Sequence, residues 1–279
     1  MSGDLIHPAH DHEILSVSPS SMNWHHLGFR AHRLGPGEVL QLDTNGVETA
    51  LVPMVGQMTV DAGDEHYQLS RSGVFEQAGS VLYLPPGTPA RISTESGAEL
   101  AFGTAPAVGV HPMRLIEPED IVVEIRGGGN ARRQVNHLLA PPLPAERLIV
   151  YEVYVPGGSW AGWPPHRHDG VSGSPYLEET YFFRFDRPDG FGFHRNYDDA
   201  AYDVTYTVHN DDCVAVPRGY HVTTTTPGNN MWILNFLAGE LEGAARATPP
   251  YFDPATEWIR HDWSAGNLEL PLVAPSDCY

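Results

Sequence analysis

Val81-Leu-Tyr-Leu-Pro85-Pro-Gly87-Thr-Pro89 and Cys213-Val-Ala-Val-Pro217-Arg-Gly219-Tyr-His221 are two copies of one pattern, 132 residues apart. In each, a short apolar run stops at Pro-x-Gly, the chemistry of a tight turn that leads into another strand. Upstream, Glu48-Thr49-Ala-Leu-Val pairs with Glu179-Thr180-Tyr-Phe-Phe at a separation of 131. Two landmarks in the same order at nearly the same offset predict two similar β-modules. We place the first over residues 1–125 and the second, with a C-terminal extension, over 126–279. The rest of the chain agrees. Val52 to Val60, Leu148 to Val155, Thr180 to Phe185, Val204 to Val208 and Met231 to Leu237 are apolar or alternating runs, and turn residues stand at most of their ends. Helical signals are confined to short pieces, one of them Asp253 to Arg260, with Asp253 as its cap and Pro254 in the first helical position. The expected class is all-β: two antiparallel barrels with few short helices.

Composition narrows the function. The chain has 279 residues with 16 basic against 35 acidic, a net charge of -19. Nucleic acid is therefore not an expected partner. No run of about eighteen apolar residues and no charged-then-apolar leader is present, so a soluble cytoplasmic protein is expected, with no membrane partner. Every basic residue is Arg; the absence of Lys excludes Schiff-base catalysis and the P-loop. The two cysteines, Cys213 and Cys278, cannot form a thiolate cage, and Cys213 reads as a buried apolar residue. The fifteen histidines leave imidazole and carboxylate to hold any metal.

The chemistry concentrates in the second module. Trp163-Pro-Pro-His166-Arg-His168-Asp169 sets two imidazoles at i and i+2, on one face of a strand. Glu178-Glu179 opens the following strand, and Pro217-Arg-Gly-Tyr-His221 supplies a third imidazole. Parity separates the two acids: Glu179 shares a face with Tyr181, Phe183 and Phe185, Glu178 with Thr180, Phe182 and Arg184. We therefore read His166, His168, Glu179 and His221 as the ligands of one divalent ion, with Zn favoured and Mn, Fe, Ni or Co compatible. The first module has Pro89 where the second has His221, so it has lost a ligand.

This set resembles the cupin family, with its His-x-His, following Glu, Pro-x-Gly and last His. Ten residues separate His168 from Glu179 where three or four are usual, which reads as a loop inserted over Asp169 to Leu177. His221 stands two residues after Gly219, where three is usual. A wider resemblance covers almost the whole chain. Leu82-Tyr-Leu-Pro-Pro-Gly87-Thr, Arg126-Gly-Gly-Gly-Asn130-Ala-Arg132-Arg133, Glu152-Val-Tyr-Val-Pro-Gly-Gly-Ser-Trp160, Pro164-Pro-His-Arg-His-Asp169 and Leu177-Glu-Glu-Thr-Tyr-Phe-Phe-Arg-Phe185 are similar to segments of the 5-deoxy-glucuronate isomerases of myo-inositol breakdown. These are relatives of the 4-deoxy-threo-hexosulose-uronate ketol-isomerases. The resemblance implies a bicupin with a metal in the second barrel, a degenerate first barrel, and interconversion of an aldehyde sugar acid and its ketone.

For the proton transfer, Glu178, Tyr220 and a hydroxide on the metal are the candidate bases, and a hydride shift is the alternative. Arg195 in Phe193-His-Arg195-Asn-Tyr197 is the expected partner of the substrate carboxylate, ahead of Arg184. Arg132 and Arg133 follow Gly127-Gly-Gly129, read as a flexible linker, in a loop that closes over a site or joins the modules. Trp160, Trp163, Phe182 and Phe191 are pocket or core aromatics. His7, His10, His12 and Glu13 read as a solvated tail. His25 and His26 read as packing or surface residues. Exposed barrel edges would allow a homo-oligomer. Two other functions fit the same residues: a metal-dependent dioxygenase or other oxidoreductase, and a non-catalytic sugar-acid-binding bicupin.

Overall fold

The computed structural model describes residues 4–9, 11–265 and 267. Strands dominate, and the expected runs appear at nearly the expected bounds: Val81–Leu84, Ile149–Val155, Leu177–Phe185, Asp203–Val208 and Met231–Gly239. Val52 to Val60 is the middle of one long strand, Val47–Ala62, which pairs with four others and anchors the nine-stranded sheet of the first module.

The second module is built from two sheets. The larger has seven strands in the order Leu5–Ile6, Cys213–Val216, Leu177–Phe185, Met231–Gly239, Ile149–Val155, Arg133–Leu139 and Val122–Arg126. The smaller has five: Asp203–Val208, Gly192–Tyr197, Tyr220–Thr225, Trp160–Arg167 and Tyr251–Phe252. The sequence boundary at 125/126 falls inside Val122–Arg126, a strand wholly paired with Arg133–Leu139.

The modules share a core. Phe29 of the first lies 5.7 Å from Phe182 and 5.4 Å from Phe236 of the second, ring centre to ring centre. Gly103 allows this approach, since a Cβ there would stand 2.1 Å from the Phe236 ring. Arg71 and Glu152 form a fully buried ion pair across the junction, with Trp232 Nε1 and Asn136 Nδ2 also donating to Glu152. Such a pair holds only when its remaining lone pairs are met, as they are here.

Strand register corrects the repeat by one residue. Thr49 stands opposite Leu84, and Glu179 opposite Val216, the counterpart of Leu84. Glu48 therefore corresponds to Glu178, and Thr49 to Glu179, an offset of 130 and not 131 (179 − 49). The first module has lost the carboxylate ligand position as well as the last imidazole. Glu48 and Glu178 do the same work in opposite directions. Glu48 accepts the backbone N–H groups of Glu146, Arg147 and Leu148 and the hydroxyl of Tyr83. Glu178 accepts those of His25, His26 and Leu27 and the hydroxyl of Tyr176. Each module thus clasps the segment that enters the other's sheet.

Three local expectations change. The N-terminus is not a loose tail: Leu5–Ile6 pairs with Cys213–Val216, and His7 Nδ1 lies 2.7 Å from Asp212. His10 and Cys278 lie outside the described residues. His12 is exposed beside Glu38. Gly127-Gly-Gly129 is a fixed turn, with Gly127 at φ +77° and Gly128 packed on Trp263. Helix over Asp253 to Arg260 reduces to a turn over 254–256, where Thr256 and Glu257 N–H donate to the Asp253 carbonyl, followed by the 3-10 turn Glu257–Arg260; just before it, Tyr251–Phe252 is held as a strand against His166 and Arg167.

Candidate metal centre and its cavity

Trp160–Arg167 carries His166, and His168 follows it; Tyr220–Thr225 brings His221 directly opposite His166. One nitrogen from each of the three imidazoles lies within 4.8 Å of the other two. Glu179, on the facing sheet, places Oε2 2.8 Å from His168 Nε2 and 3.2 Å from His221 Nε2. The insertion over Asp169 to Leu177 does not disturb this arrangement. It closes on itself, with Leu177 N–H donating to the His168 carbonyl at 2.7 Å. The Leu177 carbonyl in turn lies 2.8 Å from His168 Nδ1. A carbonyl only accepts, so Nδ1 carries the hydrogen and Nε2 is turned to the centre. His166 is held similarly: its Nδ1 lies 3.2 Å from the Gly162 carbonyl and 3.3 Å from that of Pro164. Such outer contacts fix tautomer and ring orientation in metal sites.

The electrostatics suit ligation. Burial, then the neighbouring imidazoles, hold His166 well below its usual pKa. Burial also lowers His221, against the pull of Glu179. For His168, burial acts downward but contact with Glu179 outweighs it, and the net shift is upward. Burial would raise Glu179, but His168 and His221 hold it far below the carboxylate range. Asn235 Nδ2 donates to its other oxygen at 3.1 Å. Behind His221, His194 stacks at 6.3 Å and is lowered to about 3, by burial first and then by His221. Both ring nitrogens of His221 are buried without a hydrogen bond, although Nε2 points at Glu179. A buried orphan nitrogen in a ring of three imidazoles and a carboxylate fits a divalent ion.

His166, His168, Glu179 and Asn235 line a cavity of about 500 Å³ in the second barrel. Arg126, Arg133, Tyr151, Trp163 and Tyr181 also line it, and the Tyr181 ring lies 5.5 Å from that of His221. Burial and the Glu179 charge raise Tyr181 well above the phenol range, so it keeps its proton.

The three other sequence candidates lie elsewhere. Glu178 faces the first module, where its two oxygens are taken by four donors. Tyr220 has the opposite parity to His221 and packs against Tyr197 and Arg167 outside the cavity. Arg195 has the parity of exposed Phe193, and its fork is closed on Asp203 at 2.8 and 2.7 Å. The inward residues of that strand are His194 and Asn196. Of the aromatics, Trp163 borders the cavity, while Phe182 belongs to the core between the modules. Cys213 is a buried free thiol, raised by burial. Arg133, expected in a loop, instead opens a strand and shares the cavity face with Val135, while Asn235, which the sequence reading did not single out, is placed on the inner face by its register partner Tyr181.

The KduI/IolB family profile matches residues 5–259. The chain belongs to the KduI/IolB family. It is 35% identical to 5-deoxy-glucuronate isomerase of Geobacillus kaustophilus over 91% of this chain and 95% of that one. The corresponding isomerase of Bacillus subtilis is 33% identical, over 87% and 91%. A crystal structure of an IolB-like protein from Salmonella typhimurium superposes with a TM-score of 0.86 at 35% identity, covering 92% of this chain and 98% of that one. Lactobacillus farciminis oxalate decarboxylase, 12% identical, superposes with a TM-score of 0.62 over 87% and 88%. That likeness speaks to architecture alone: this KduI/IolB chain is an all-β bicupin. Among the described residues, no helix is long and apolar enough to cross a membrane.

Proposed function

We propose that the chain is a metal-dependent aldose–ketose isomerase, converting 5-deoxy-D-glucuronate to 5-dehydro-2-deoxy-D-gluconate in myo-inositol breakdown in the cytoplasm. The observation that carries this reading is the meeting of His166, His168, His221 and Glu179 beside a cavity that Arg126 and Arg133 also line. The activity of the family's 5-deoxy-glucuronate isomerases supports the choice of substrate. These four side chains would hold a divalent ion, zinc by their nitrogen-rich set. When bound, such an ion would supply Lewis-acid polarisation of a carbonyl and a neighbouring hydroxyl.

The chain's own groups do the rest. Asn235 orients Glu179, and the Leu177 carbonyl orients His168. Tyr181, protonated and beside Glu179, offers an O–H to a substrate oxygen. The buried walls keep bulk water from the reacting carbons. Division of labour between the barrels follows: the first, lacking the ligands at Thr49 and Pro89, serves as structural partner.

The test is to incubate metal-replete protein with 5-deoxy-glucuronate under anaerobic conditions in D₂O and follow C1 and C2 by NMR. We expect the ketone, formed without oxygen and stopped by a chelator. No ketone, or an obligate need for oxygen, would overturn the proposal.

A further inference from the structure

Arg133 opens the strand Arg133–Leu139, and alternation turns it to the cavity side with Val135. It is only 8% exposed. Its Nη1 donates to two neutral acceptors, the carbonyls of Ala131 at 3.0 Å and Trp163 at 3.4 Å. Among the described residues no carboxylate lies within ion-pair distance, and neither Nε nor Nη2 has a hydrogen-bond partner.

Other buried guanidinium groups are treated differently. Arg71 is paired with Glu152, and Arg167 with Asp169 and Asp199. Arg246 has no carboxylate, but its three nitrogens donate to the carbonyls of Leu148, Gly243 and Leu143. Arg133 alone of these four keeps nitrogens free while bordering the cavity. A second cation aggravates its position, since Arg126 stands directly across in the strand pair. Arg126 is matched by Glu124 at 2.7 Å; Arg133 is not matched. Burial first, and then Arg126, lower the Arg133 pKa to about 10, the signature of a desolvated, uncompensated charge.

The surroundings make room for this group. Gly127, at φ +77°, would place a Cβ 2.9 Å from Arg133 Nη1, so the glycine turn leaves a slot for the guanidinium. The contact with the Trp163 carbonyl sets it on the strand that ends in the ligands, three residues before His166. Burying an unpaired charge is costly unless a partner arrives.

We propose that Arg133 receives the terminal carboxylate of the sugar acid through its free nitrogens, while the aldehyde end lies at the histidine cluster. Arg133 thereby selects acids over neutral sugars. This inference rests on the isomerase reading above and adds a residue to it. A guanidinium fork suits the task because it meets both carboxylate oxygens in one plane.

The experiment compares wild type, Arg133→Met and Arg133→Lys on 5-deoxy-glucuronate and on 5-deoxy-glucose, which has a hydroxymethyl group in place of the carboxylate. Metal content and thermal midpoint are measured alongside. For Arg133→Met we expect kcat/KM on the acid to fall about 100-fold or more, mainly through KM, as for loss of one member of a buried charge pair. Activity on the neutral sugar and metal content should change by less than about threefold. Arg133→Lys keeps the charge without the fork and should lose less on the acid; it also serves if the Met variant folds poorly. An acid-substrate kcat/KM within about threefold of wild type, or equal losses on both sugars, overturns the inference while the isomerase reading stands. Metal-loaded wild type that makes no ketone from the acid removes the isomerase reading and this inference together.

Discussion

Replacing Glu178 by Gln separates a clasp from a catalytic base. One carboxylate oxygen takes His25 N–H at 2.7 Å and Tyr176 O–H at 3.0 Å; the other takes His26 and Leu27 N–H at 2.8 and 2.7 Å. An amide turned either way presents its NH₂ to two of those four donors. At least two charge-assisted hydrogen bonds are lost, and buried N–H groups are left facing another donor. At roughly 1.5–3 kcal/mol for each such bond, the variant should be destabilised by about 3–6 kcal/mol. Urea midpoint and thermal scans read that loss directly, and a chain of this size should melt about 10 °C lower. Meanwhile kcat and its pH profile, measured on folded protein at low temperature, should stay within about twofold of wild type. A positioned general base contributes about 100- to 10,000-fold. A kcat loss of that order with an unchanged melting point would refute the clasp and restore Glu178 to the chemistry. Glu48→Gln, the mate of this clasp in the first barrel, should be destabilised similarly.

His221→Ala should lose its metal on dialysis and its turnover by at least ~100-fold, while His12→Ala, exposed beside Glu38, should keep both; metal analysis and the NMR assay decide this. Arg195→Met should change kcat/KM by less than about twofold, because its fork is spent on Asp203 outside the barrel. Asp169 provides a pH test. Burial would raise it, but the Arg167 fork and Gly219 N–H bring it down to about 2 from 3.8. A depressed carboxylate stabilises the fold above its unfolded pKa, and that contribution fades as pH falls from about 4 to about 2. Discounted for partial exposure, it amounts to about 1–2 kcal/mol. Asp169→Asn should therefore trail wild type in urea midpoint at pH 7 by that amount and converge with it only as pH falls to about 2; a gap independent of pH would contradict the assignment.

Local patterns alone determined much of this protein. Pro-x-Gly turns at Pro85 and Pro217, with alternating runs between them, specify paired β-modules because turn chemistry and strand periodicity are properties of a few adjacent residues. The same alternation separated Glu179 from Glu178 and put His166 and His168 on one side. Alternation defines which residues share a face. It does not say which face is inside. Arg195 illustrates the limit: its parity with Phe193 and Tyr197 was legible, yet that row faces outward and His194 faces the barrel. Glu178 illustrates another, because its four donors include three N–H groups more than 150 residues away, brought near only when the two sheets pack. Arg133 is a third case. Nothing adjacent in the chain marks it as an unpaired buried cation, since that depends on which carboxylates the folded strands bring near it and which they carry away. Sequence supplied the donors and their order; packing of distant strands decided which of them face a common space.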